Sequence, residues 1–89
     1  MGLGSNPRKL AYDVAQGFQQ FNPAVLRQYQ LEDLRAVYFN LNIALREIRA
    51  RKVSFEDFDA LKDRNMRIRR LTQAINGIQI FSKSKNIKL

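Results

Sequence analysis

Two long proline-free segments meet at Val53-Ser54, and that joint most constrains the fold. Leu31 to Lys52 enters it and Phe55 to Phe81 leaves it. Both repeat their apolar residues every three or four positions, as core-facing helices do. A short connection between long helices favours antiparallel neighbours. The expected class is therefore all-α, a three-helix domain dominated by a long antiparallel helical hairpin.

The joint reads as a helix start. Ser54 stands where an N-cap hydroxyl accepts a first-turn N–H, and Glu56 and Asp57 suit the positive helix end. Asp57 occupies the third position of a shortened capping box. Val53 and Phe58 have the spacing of a hydrophobic staple.

The chain is 89 residues long, enough for one small domain with a thin core. It contains no Cys and no His, so it has neither disulfides nor thiol or imidazole metal ligands. No cofactor, metal or small-molecule substrate is expected. Acid–base chemistry would fall to Asp, Glu, Lys or Tyr. Glu47 and Arg64 are one conceivable pair, but no spacing demands it. The lack of Cys is compatible with a reducing cytoplasm, the expected location. No apolar run reaches the length of a membrane span. Met1-Gly2-Leu3-Gly4-Ser5-Asn6 departs from a myristoylation signal because Asn6 stands where Ser or Thr is needed.

Residues 1–5 are expected to be a flexible start, residues 6–81 a single helical domain, and residues 82–89 a flexible basic tail. Asn6-Pro7 and Asn22-Pro23 each pair a cap with an N1 proline. The first opens a helix whose stripe is Leu10, Val14, Phe18 and Phe21, with Gly17 inside it. The second opens a short helix or the first turns of the next, with a break near Tyr29-Gln30. Leu31, Leu34, Val37, Tyr38, Leu41, Ala44, Leu45 and Ile48 then fill one face of a long helix. Ala36, Phe39, Ile43 and Ala50 form a second apolar strip on it. On the last helix Phe58, Leu61, Ile68, Leu71, Ile75 and Ile78 share the core face, and Gly77 marks fraying near the end.

A helix apolar on two sides needs two covers, which points to protein contacts, self-association included. The expected interface residues are Phe39, Ile43, Met66, Ile80 and Phe81. The formal charge of +8 points to anionic partners. Much of the charge has a local explanation. Acids open the long helices, bases close the Leu31–Lys52 segment, and Glu47 with Arg51 and Asp63 with Arg67 stand four residues apart. Lys62, Arg64, Arg67, Arg69 and Arg70 are less well balanced, although a charge run is most often a solvated face. With Lys83, Lys85 and Lys88 they form the expected anion or nucleic-acid surface, binding phosphates without sequence preference. The leading function is a non-enzymatic interaction module in assembly or regulation. The alternative is a sequence-tolerant nucleic-acid-binding protein.

Overall fold

A computed structural model describes residues 6–89. The expectations for the flexible start and for Gly2 fall outside them. The described chain is all-α, with α1 (Pro7–Gln16), α2 (Pro23–Leu26), α3 (Leu31–Ala50) and α4 (Phe58–Ser84). α3 and α4 form the hairpin, and α1 packs against both. The antiparallel sense shows in the side-chain pairs. Arg64 meets Arg49 near the turn, Gln79 meets Tyr38 midway, and Lys88 meets Arg35 at the far end. The molecule is a rod of 44 × 24 × 19 Å. α4 sets that length, because 27 residues at about 1.5 Å each span roughly 40 Å.

α1 begins as its sequence implies: the Asn6 carboxamide oxygen accepts from the Lys9 N–H at 2.7 Å, and Pro7 is the first helical residue. Leu10, Ala11, Val14 and Ala15 are its buried face. It stops earlier than expected. Gly17 adopts a left-handed conformation, φ 86°, and the Gly17 and Phe18 N–H groups donate back to Val14 and Asp13. A glycine one residue past a helix is the ordinary Schellman terminator, not a helix-interior residue. Phe18 is consequently exposed, while Phe21 packs partly against the core.

α2 is capped by Asn22 and contributes the buried Leu26. The expected break follows at Tyr29-Gln30. The Tyr29 ring meets Phe21 edge-on at 6.1 Å. Burial, followed by the nearby Asp33 carboxylate, pushes the Tyr29 phenol above its ordinary pKa. On α3, Leu34, Val37, Leu41, Leu45 and Ile48 are buried as the periodicity implies, whereas Leu31 at the first turn is exposed.

The hairpin turn differs in detail. Asp57, not Ser54, caps α4 by accepting from the Ala60 N–H at 3.0 Å. Ser54 instead accepts from the Glu56 N–H within a turn closed by Asp57 N–H to the Ser54 carbonyl. α4 therefore starts one turn later than expected. Phe58 falls on an exposed position, 78% accessible, and no Val53–Phe58 staple forms.

The far end of α4 differs too. The helix runs to Ser84, and Asn86 adopts a left-handed conformation, φ 57°. The Asn86 and Ile87 N–H groups return to Lys83 and Ser82, and Ile87 packs on the core. Asn stands in for Gly in this terminator. The Arg35 guanidinium then donates to the Lys88 carbonyl at 2.8 Å. The segment expected as a flexible tail from residue 82 is thus helical at its start and docked beyond. Gly77 lies inside the helix, not at a frayed end.

Candidate interaction surfaces

The core is unevenly distributed along α4. Its buried residues are Leu71, Ile75, Ile78, Phe81 and Ser82. From Phe58 to Arg70 it buries none, because along that stretch α1 gives way to solvent. The turn end is a two-helix arm attached to a three-helix base. At the arm's tip Phe55 is 84% exposed. Behind it Phe58, Leu61, Lys62, Asn65, Met66 and Arg69 line one shallow groove.

The expected interface residues do not share a patch. Ile43 lines a groove between α1 and α3, beside Arg8, Ala11 and Glu47. Met66 lies in the arm groove. Ile80 is exposed at the edge of a separate groove between α2 and α4, with Phe21, Pro23 and Leu26. Phe39 points outward from α3, 64% exposed. Phe81 packs in the core, 9% exposed, and its edge lines the same groove as Ile80. It follows Leu71, Ile75 and Ile78 on the inward side of α4, which continues a turn past the expected end. The second strip on α3 is real, and α1 covers part of it: Ala36 and Ile43 are half-buried, Phe39 and Ala50 exposed.

The expected cationic surface also divides. Arg64 donates to the Arg49 carbonyl at 3.3 Å, binding the last turn of α3, where unpaired carbonyls collect. Arg67 holds Asp63 in an ion pair at 2.8 Å, as its spacing implies. Arg70 donates to the Ala15 carbonyl at 3.1 Å and lies against Gly17, where no side chain intervenes. Arg64 and Arg70 each join two helices, whereas the Arg67–Asp63 pair lies within α4. Lys62, Arg69, Lys83, Lys85 and Lys88 are exposed.

Two phenylalanines turn out to be surface features. Phe55, assigned to no face, and Phe58, expected on the core face, belong to the arm tip, and the signal available was the second cap residue, Asp57. Arg46 and Arg49, bases that close the Leu31–Lys52 segment, are exposed. Among the described residues no cluster of Asp or Glu could hold a metal ion, and no helix is long and apolar enough to cross a membrane. No family model matches the chain, and no curated protein or solved structure is similar to it.

Proposed function

We propose that this chain is a non-catalytic helical interaction module that assembles through its two-helix arm, with a second copy of itself as the partner. The observation that carries this reading is the arm's apolar content without a third helix to cover it: Phe55 and Phe58 are exposed, and Leu61 and Met66 are half-buried in the groove behind them. Contiguous exposed apolar surface of this kind marks an interface. A second copy fits because the arm carries both charges close together. Glu56, Asp57 and Asp59 lie between Arg51-Lys52 and Lys62, all exposed. A two-fold pairing sets each acidic group against the basic group of the other copy, since a residue and its contact exchange roles across the axis. Pairing two hairpin arms also completes a four-helix arrangement, the usual way such faces are buried. The absence of Cys accords with a reducing, cytoplasmic setting.

Sedimentation at tens of micromolar tests this. The wild type should run as a dimer, and Phe55→Ser/Phe58→Ser as a monomer with unchanged helical circular dichroism. A compact wild-type monomer would overturn the assembly reading. Phe39→Ser/Ile43→Ser is the companion variant. If it alone dissolved the dimer, the outer strip of α3 would be the interface instead.

A further inference from the structure

The hairpin face turned away from α1 carries a one-signed charge pattern, and we propose that it binds the phosphodiester backbone of nucleic acid without sequence preference. This goes beyond the assembly reading and rests on residues nearer the base, with Arg69 the one shared with the arm groove. Ala44 and Ala74 mark the sides of α3 and α4 that face α1, since Ala44 shares a groove with Arg8 and Ala11, and Ala74 shares one with Val14 and Gly17. At about 100° per residue, Arg35, Arg46 and Arg49 lie roughly 140–180° around α3 from Ala44, and Arg69 and Lys83 lie as far around α4 from Ala74. All five are exposed. Lys88 joins them at the base, where its carbonyl is held by Arg35.

The acids sort the other way. Asp33, Glu47, Asp59 and Asp63 fall within about 60° of the α1-facing positions. Glu47 lines the α1 groove, and Asp63 is engaged by Arg67. Glu32 alone approaches the outer edge of α3. Helix-end electrostatics accounts for an acid-to-base gradient along an axis, but not for a separation around it.

The pairs across the hairpin set Arg46 level with Arg69, and Arg35 near Lys83 and Lys88. Between these two cationic levels the face carries Asn42, Asn76, Gln79 and Tyr38, the last two hydrogen-bonded to each other at 2.8 Å, with the exposed Phe39 and Ile80 at its margins. From Arg35 to Arg49 the face runs about 20 Å along α3. That length spans several nucleotides at about 3.4 Å of rise each along one strand. Phosphate neutralisation by Arg and Lys with polar groups between them is the ordinary composition of backbone contacts.

The test is fluorescence anisotropy with a labelled thirty-nucleotide single-stranded DNA and its duplex, over a salt series. Arg46→Gln/Arg49→Gln/Lys83→Gln is compared with Arg8→Gln/Lys9→Gln/Arg27→Gln, which removes the same charge from the α1 and α2 side. Both sets are exposed, and circular dichroism and sedimentation verify fold and assembly separately. The wild type should bind at low salt. The first variant should lose about tenfold or more in affinity, with its salt slope reduced by about 2 for three lost contacts, and the second should change less than about twofold. Three results would overturn the proposal: no wild-type binding at low salt, equal losses in the two variants, or tighter binding to phosphatidylserine vesicles or polyglutamate than to nucleic acid. Dimerisation that persists in the first variant separates this surface from the assembly arm.

Discussion

The two halves of α4 carry similar apolar residues but differ in burial. Leu71, Ile75 and Ile78 in the second half are enclosed by α1 and α3. In the first half Leu61 and Ile68 are half-buried, Ile68 against the edge of the core, and Phe58 is exposed. Helical periodicity is continuous through both halves, so it does not distinguish them. The distinction comes from α1, whose short length leaves the arm without a third layer. Periodicity fixes which way a side chain points, and the lengths of neighbouring helices fix whether anything waits there.

The most direct way to break that comparison is to make the same truncation in each half. Leu71→Ala removes a side chain with no solvent exposure and should cost about 2–5 kcal/mol. Leu61→Ala, at a half-buried site, should cost about 1 kcal/mol or less, since a yielding surface leaves no enclosed cavity. Urea denaturation measures both. Equal losses would mean that the arm is as tightly packed as the base. Hydrogen exchange sharpens the same point: amides of the arm should exchange through local opening, and those near Leu71 only near global unfolding.

Much of the base was legible from residues alone. The two Asn-Pro starts, the break at Tyr29-Gln30 and the inward face of α3 all rest on local chemistry that tertiary packing left in place. What was not legible had two competing local solutions. Ser54 and Asp57 are both able caps, and the choice of Asp57 moved Phe55 into the turn and Phe58 into solvent. Gly17 serves either as a tolerated helix residue or as a terminator, and only the approach of Arg70 shows why the terminator wins. Arg64 and Arg70 looked like available cations because their acceptors are backbone carbonyls on other helices, which no charge pattern announces. The surfaces were harder still. The cationic face opposite α1 depends on which side α1 occupies, and that is a property of packing.

Gly17 and Gly77 give the second contrast, smaller than the first. An alanine at Gly17 would be strained at φ 86°, and its Cβ would stand 2.9 Å from Arg70 Cζ. The Arg70 guanidinium, which donates to the Ala15 carbonyl, would have to shift. The expected loss is about 1–2 kcal/mol. Gly77 is in the interior of α4, where an added Cβ meets nothing within 4 Å. Gly77→Ala should therefore stabilise the protein by about 0.5–1 kcal/mol through helix propensity. Thermal unfolding separates the two by sign. A loss at Gly77 would mean that an unseen neighbour approaches α4 there.

The smallest contrast lies at the root of the arm. Asp57→Ala removes the carboxylate that accepts from the Ala60 N–H and should cost about 0.5–2 kcal/mol in the stability of α4. Ser54→Ala removes only a contact within the turn and should cost a few tenths of that. The ranking matters more than either value, because the two residues propose different starts for the same helix. If Ser54→Ala were the costlier change, α4 would begin a turn earlier and Phe55 would enter it. The Phe55 and Phe58 side chains would then be carried around a helix and not displayed at a turn. The exposed tip on which assembly of the arm rests would be lost with them.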